Sequence, residues 1–351
     1  MDWVRGNTLG RGSFATVNLA IPTNRSTQFS SPTAVKSSSS DDVFASYLLK
    51  NEKEILDHLG YCPHIVKCYG HDYTFENGGE YYNLFLEYAA GGTLADQLKN
   101  HGGGFPESRV RRYTRSIIEG LNHIHAKGFV HCDIKLQNIL VFVDNDTIKI
   151  ADFGLAKETG KEEQSQTTTW AGDECRGTPM FMSPESLNNN ECESPADIWA
   201  LGCAVVEMVT GKPAWNVGSG SNDIWQLLFR IGVGEELPHV PDELSQQGKD
   251  FLGKCFVRDP KKRWTAEMLL KHPFVVVADD DDDDDIVPTF KHVHPSPRSN
   301  FDFPHCPFTT GSSSCLPSLC SPADRLRRLV TDQRPIGWSE TDGWTSVRGG
   351  Y

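Results

Sequence analysis

The chain has 351 residues, 38% of them hydrophobic and 23% charged, which suits one large two-lobed domain or two ordinary ones. Its formal net charge of -13, from 47 acidic against 34 basic residues, excludes a general nucleic-acid binder, which needs a basic face to neutralise phosphates. No run approaches the roughly 18 apolar residues of a membrane-spanning helix, and residues 1–5 lack the apolar core of a secretory signal, so neither is expected.

In chain order, the opening segment reads as strands around turns, with Thr33-Ala34-Val35-Lys36 a short strand after a polar connection over residues 22–32. A helix over about 41–59 follows, N-capped by Asp41 or Asp42. Residues 81–88 form an apolar strand that ends at the turn Gly91-Gly92, after which the chain turns helical. Pro106 can start a helix with Val110, Tyr113, Ile117, Leu121 and Ile124 on one stripe, and Gly128 can end it. Two strands, 139–143 and 147–150, flank Asp144-Asn145-Asp146. Residues 198–209 are apolar nearly all round, the pattern of a helix buried on every side. The expectation is an α+β architecture: a small β-rich lobe (about 3–88), a larger helical lobe (about 89–274), and a tail. The tail, 275–351, begins with seven aspartates (279–285), then turns Ser/Pro-rich, and its composition predicts disorder over most of its length.

Three motifs carry chemistry. In Leu9-Gly10-Arg11-Gly12-Ser13-Phe14-Ala15-Thr16-Val17, glycines let the backbone approach a bulky anion, and successive amides can cradle phosphate oxygens. The motif lacks a P-loop's Lys-Ser/Thr ending, and no helix clearly follows it. Lys36 follows Ala34-Val35, and Glu52 lies on the same helical stripe as Leu48 and Ile55. A carboxylate on a buried face is costly without a cation, so Lys36 is its natural partner; the alternative is a flexible glutamate at the stripe's edge. The third motif, His131-Cys132-Asp133-Ile134-Lys135-Leu136-Gln137-Asn138, sits in a loop and is followed by Asp152-Phe153-Gly154 after a strand. Asn138 and Asp152 offer oxygen ligands suited to Mg²⁺. Asp133 can accept a proton or orient a hydroxyl, and Lys135 can neutralise a transferring phosphoryl group. Strand parity with Ile148 and Ile150 puts Asp152 on the inward side.

In this order the motifs resemble a eukaryotic Ser/Thr protein kinase over about residues 3–274. Gly177-Thr178-Pro179, Ser183-Pro184-Glu185, Asp197-Ile198-Trp199-Ala200-Leu201-Gly202 and Arg263, placed to pair with Glu185, extend the resemblance. Lys135 two residues after Asp133 favours Ser/Thr over Tyr as acceptor. The resemblance implies ATP with adenine at the hinge Glu87 to Ala89, beside gatekeeper Leu86. It further implies Lys36, held by Glu52, on the α- and β-phosphates, Asn138 and Asp152 on magnesium, and Asp133 as the base. Residues 88–94, His131-Cys132-Asp133 and Ala204-Val205-Val206-Glu207-Met208 are similar to plant MAP kinase kinase kinases of the MEKK-like group. That group phosphorylates MAP kinase kinases, and some members act in abscisic-acid and abiotic-stress signalling. The competing readings are a Ser/Thr kinase outside that cascade and a non-catalytic kinase-like scaffold, the latter opposed by the presence of Lys36, Asp133 and Asp152.

Two positions depart from the kinase pattern: Ala15 replaces a third glycine, and Cys132 stands where many kinases carry a phosphate-binding arginine. Phosphorylation at Ser165, Thr167, Thr168 or Thr169 is then either dispensable or met by another base such as Arg176, while Thr178 is expected to have a structural role near the acceptor site. The ten cysteines show no Cys-x-x-Cys pair and read as free thiols of an intracellular protein of cytoplasm or nucleus; Cys306, Cys315 and Cys320 with His305 match no compact zinc module. The aspartate run reads as a solvated linker, or else as a lid or docking site. Arg325-Leu326-Arg327-Arg328-Leu329-Val330 reads as a docking peptide or a short surface helix.

Overall fold

The computed structural model describes residues 3–12, 14–23, 32–76, 78–142, 147–160, 176–216 and 223–276. Five strands form one antiparallel sheet in the order β1-β2-β3-β5-β4: β1 Trp3–Arg11, β2 Thr16–Pro22, β3 Thr33–Ser39, β4 Cys68–Glu76 and β5 Gly79–Leu86. The register sets Lys36 opposite both Val17 and Leu84, so the lysine stands mid-sheet beside the strand that leaves the glycine loop. Helix α1 (Val43–Leu59) lies between β3 and β4 in sequence. Asp42 caps it, accepting from the Ala45 N–H at 2.9 Å, and Gly60 ends it with φ +66°. The helix buries Leu48, Leu49, Ile55, Leu56 and Leu59, and with them Glu52.

Strand β4 escapes the sequence reading. Its sequence, Cys-Tyr-Gly-His-Asp-Tyr-Thr-Phe-Glu, has no clean alternation: the register shifts between Cys68 and Gly70, and on this edge strand His71, Asp72, Tyr73 and Phe75 are exposed. The two outer strands are joined by a side chain. Arg5 of β1 donates from Nε and Nη2 to Glu76 of β4 at 3.0 and 2.7 Å. On the way it meets Ser37 Oγ at 2.8 Å and Asn83 Oδ1 at 2.9 Å. Trp3 packs edge-on against Phe85 at 5.2 Å.

Beyond β5 the chain is mainly helical. Helix α2 (Leu94–His101) opens on a reciprocal capping box between Thr93 and Asp96. Helix α3 (Glu107–Ala126) follows Pro106 and buries the expected stripe, Val110, Tyr113, Ile117, Leu121 and Ile124, and Gly128 takes φ +79° just past its end. Two short antiparallel pairs follow: β6 (Phe129–Val130) with β9 (Lys157–Glu158), and β7 (Ile139–Phe142) with β8 (Thr147–Ile150). Next come α4 (Pro184–Asn189), α5 (Ser194–Thr210), α6 (Asp223–Gly232), α7 (Gln246–Cys255) and α8 (Ala266–Leu269). As its composition predicts, α5 is buried nearly throughout, Ile198, Trp199, Leu201, Ala204, Val205 and Met208 included. Its last turn touches backbone directly: a Cβ added at Gly104 would lie 1.6 Å from the Val209 carbonyl oxygen. Arg111 and Arg115 of α3 donate to the carbonyls of Phe274 and Val275 at 3.3 and 3.2 Å.

Cys62, Cys68, Cys132, Cys192, Cys203 and Cys255 are free. Among the described residues no helix is long and apolar enough to cross a membrane. The tail from residue 277 onward, with its aspartate run, cysteines and basic segment, and the Asp144-Asn145-Asp146 turn lie outside the described residues, whereas Val275, the first residue of the expected tail, is buried.

Candidate active site

The glycine motif spans the turn between β1 and β2. Leu9, Gly10 and Arg11 end β1, Thr16 and Val17 begin β2, and Ser13 lies outside the described residues. Gly12 N–H donates to the Ala15 carbonyl at 2.9 Å. A Cβ on Gly12 would meet nothing closer than that oxygen at 3.7 Å, an ordinary contact, and its φ is not left-handed. The turn's own packing therefore does not require glycine here, and a bare backbone suits close approach of a phosphate. Phe14 is half exposed and packs edge-on against Phe44 of α1 at 5.4 Å.

Lys36 pairs with Glu52 as the sequence suggests, Nζ to Oε2 at 2.7 Å, and the helix carboxylate is 0% exposed. The edge-of-stripe alternative does not hold. The lysine makes a second contact that the sequence does not reveal: Asp152 Oδ1 at 2.8 Å. Burial disfavours the Lys36 ammonium, but the adjoining Asp152 and Glu52 carboxylates outweigh it and raise its pKa above the ordinary 10.5. At Glu52 burial prevails over Lys36 and the pKa lies above the usual value. At Asp152 burial opposes ionisation, yet Lys36 prevails and the pKa falls to about 2. Asp152 does not continue the alternation of Ile148 and Ile150: β8 stops at Ile150, and Asp152 takes φ +66°. A left-handed bend, rather than strand parity, sets its direction, and its side chain is 48% exposed.

The loop 131–138 gathers its polar residues around Asp133. Asn138 Nδ2 donates to Asp133 Oδ2 at 2.9 Å and to the Asp133 carbonyl at 2.7 Å. Lys135 Nζ lies 2.8 Å from Asp133 Oδ2. Thr178 Oγ1 donates to Asp133 Oδ1 at 2.7 Å and accepts from Lys135 at 2.8 Å. The two metal candidates are linked through backbone, since the Asn138 carbonyl accepts from Ala151 N–H at 2.8 Å, next to Asp152. Asn138 spends its side-chain nitrogen on Asp133, which leaves the side-chain oxygen Oδ1 as the atom able to ligate a cation. That oxygen and the half-exposed Asp152 carboxylate fit Mg²⁺, which takes one or two protein oxygens and completes its shell with phosphate and water. Among the described residues no cluster of three or more His, Cys, Asp or Glu side chains could hold a metal by itself.

Buried Asp197 at the start of α5 holds this loop in shape. Its carboxylate accepts from the His131 and Cys132 N–H groups, each at 2.9 Å, and contacts His125 Nε2 at 2.9 Å. Burial opposes its charge, but His125 and the other donors hold its pKa below the ordinary 3.8. Cys132 has φ +66° and is buried with Val130, Cys192 and Ala196; burial and the Cys192 thiol push its pKa well above 9.0. Arg176 donates to the Leu155 carbonyl at 3.3 Å. Ser165, Thr167, Thr168 and Thr169 lie outside the described residues.

At the hinge, Leu86 is buried at the end of β5, and the Ala89 carbonyl accepts from Gly92 N–H at 3.2 Å. The Glu87 carboxylate is taken up by Lys149 at 2.7 Å from both oxygens. Glu185 and Arg263 form a two-pronged pair at 2.6 and 3.0 Å, with the arginine 0% exposed and over the Trp199 ring at 5.2 Å. The sequence reading missed Arg5, Asn51, Lys149 and the anchoring role of Asp197. Only Asp197 carried a signal, an acid at the head of an otherwise apolar helix.

The sequence model described as Protein kinase domain matches residues 3–275. Mitogen-activated protein kinase kinase kinase 20 of Arabidopsis thaliana is 51% identical over 353 residues, covering 99% of this chain and 100% of that protein. Mitogen-activated protein kinase kinase kinase 17 of the same plant is 42% identical over 276 residues, 78% of this chain and 70% of that one. Number 18 of the series is 43% identical over 282 residues, 79% and 78% respectively.

Proposed function

The chain belongs to the protein kinase family, as a serine/threonine kinase of the mitogen-activated protein kinase kinase kinase type, and on that premise we propose that it phosphorylates a MAP kinase kinase from ATP at the site around Asp133. One observation carries this reading: the Asp133 carboxylate accepts a threonine hydroxyl, Thr178, while Lys135 touches both partners. A substrate serine or threonine presents the same hydroxyl chemistry. Asp133 orients that hydroxyl and takes its proton, work that contributes about 10²- to 10⁴-fold in rate. Lys135 offsets charge on the group in transfer. Lys36, fixed by Glu52, binds the α- and β-phosphates, the bare backbone of the glycine turn lies against the phosphates, and residues 87–89 receive the adenine beside Leu86. Bound ATP with Mg²⁺ supplies the phosphoryl group and the metal's positive charge, with Asn138 and Asp152 holding the ion. Such transfer asks little covalent work of a protein, and alignment alone supplies about 7–11 kcal/mol.

The test is incubation of purified chain with labelled ATP, Mg²⁺ and a panel of MAP kinase kinases, beside Asp133→Asn. Label on at least one substrate with wild type and none with the variant is expected; equal labelling by both overturns the assignment of Asp133, and no labelling by wild type overturns the substrate class. A role in abscisic-acid and abiotic-stress signalling is supported by the likeness of residues 88–94, 131–133 and 204–208 to the plant MEKK-like group. Kinase recovered from tissue before and after hormone treatment should differ in activity, and equal activity would remove that role.

A further inference from the structure

The residues that follow Asp152 belong to no strand: β8 ends at Ile150 and β9 begins at Lys157. Their carbonyls must find acceptable partners elsewhere, because buried backbone groups are rarely left unpaired. The Phe153 carbonyl accepts from Ala156 N–H at 3.1 Å, and that of Leu155 from Arg176 at 3.3 Å. The other two, Gly154 and Ala156, both accept from one side chain, Asn51 Nδ2 of α1, at 3.1 and 3.0 Å. Two carbonyl partners can be met only by the NH₂ end of an amide, so the chemistry itself fixes which way Asn51 is turned. The next residue on the helix, Glu52, accepts from Phe153 N–H at 3.2 Å through Oε1 and takes Lys36 through Oε2. Residues 51 and 52 together grip residues 153, 154 and 156. Asp152 heads that stretch in a left-handed conformation, which a non-glycine residue keeps only when its surroundings impose it.

We infer that Asn51 is a positioning residue for phosphoryl transfer: its amide clamps the stretch 153–156 to α1 and so fixes Asp152 where it meets the metal. The inference rests on the metal-holding role given to Asp152 above. Helix packing alone does not account for Asn51. The side chain is only partly buried, the helix is seated by Leu48, Leu49, Ile55 and Leu56, and alanine forms helix better than asparagine does.

The experiment uses the full chain and a MAP kinase kinase substrate at saturating ATP, with rate followed against free Mg²⁺ and thermal midpoints recorded in parallel. Asn51→Ala should lower kcat about tenfold and raise the half-saturating Mg²⁺ concentration severalfold, with the midpoint lowered by only roughly a few degrees for the two carbonyls left without their donor, because a small displacement of a site group is felt strongly in rate. Asn51→Asp, of the same size, turns a carboxylate on two carbonyls and should lose more than alanine; Asn51→Gln keeps the NH₂ and should recover part of the loss. Should Asn51→Ala fail to fold, Asn51→Ser is read in the same way. Wild type and Asp152→Asn run beside them. A fully active Asp152→Asn overturns the metal-holding role itself. An active wild type, an impaired Asp152→Asn and an Asn51→Ala unchanged in both kcat and Mg²⁺ requirement overturn the inference alone.

Discussion

Replacing Lys36 with methionine removes a cation from between two carboxylates, and the cost can be worked from the geometry. Asp152 is 48% exposed and can stay ionised, but Glu52 is 0% exposed and keeps only the Phe153 N–H. An uncompensated buried carboxylate takes up a proton instead of remaining charged. Protonating a carboxyl of ordinary pKa 4.5 at pH 7.5 costs three pH units at about 1.4 kcal/mol each, or about 4 kcal/mol. At pH 5.5 the same proton costs about 1.4 kcal/mol. Above pH 4.5 the unfolded variant then binds fewer protons than the folded one, so its stability falls as pH rises. Urea unfolding of Lys36→Met and wild type at both pH values should show a defect larger at pH 7.5 by up to about 3 kcal/mol. Lys36→Met with Glu52→Gln should remove that pH dependence. A defect equal at the two pH values, or larger at 5.5, would refute the account of Glu52 as the stranded charge. Phosphoryl transfer by the single variant should fall about a thousandfold or more, because the fixed positive charge is lost.

Asp133→Asn should abolish transfer while the thermal midpoint stays within a few degrees of wild type; a collapsed midpoint would make Asp133 a structural residue first. Arg263→Ala strands buried Glu185 and should cost about 3–5 kcal/mol in urea unfolding, whereas Arg263→Leu with Glu185→Met should recover much of it. Gly104→Ala drives a methyl into the Val209 carbonyl and should cost about 3 kcal/mol or more, while Gly103→Ala, with nothing within 4 Å, should be near neutral. Because Lys36 holds the folded pKa of Asp152 at about 2, its stabilising effect is present above pH 3.8 and lost as pH falls towards 2. Wild type should lose stability across that window more steeply than Asp152→Asn, and parallel acid curves would count against the pair.

The sequence exposes those parts of the molecule where chemistry and periodicity coincide. Helix α1 and its buried Glu52 follow from one stripe of leucines with an acid in it, and α3 and α5 from their apolar patterns. What stays hidden depends on contacts between residues far apart in the chain. Nothing local marks Asn51 as the partner of Gly154 and Ala156, 103 and 105 residues away. Thr178 lies 45 residues from Asp133; the family resemblance sets it near the acceptor site, but its hydrogen bond to the carboxylate shows only once the chain after Gly177 returns to the loop. Strand parity fails at Asp152 for a different reason, since a single left-handed residue cancels alternation that no pattern of residue types reports. Strand β4 is missed because a register shift between Cys68 and Gly70 and three consecutive exposed residues, His71 to Tyr73, break the alternation that would mark a half-covered strand.

The reach of Arg5 to Glu76 has a practical consequence for anyone trimming or tagging this protein. The two outer strands of the sheet are fastened by one guanidinium, that of Arg5, and α3 is fastened by Arg111 and Arg115 to carbonyls at 274 and 275. A shortened version that starts after Arg5 or stops before Val275 would cut a fastening at that border. Its losses would then be a matter of lost architecture at the margins, quite apart from the chemistry at the centre.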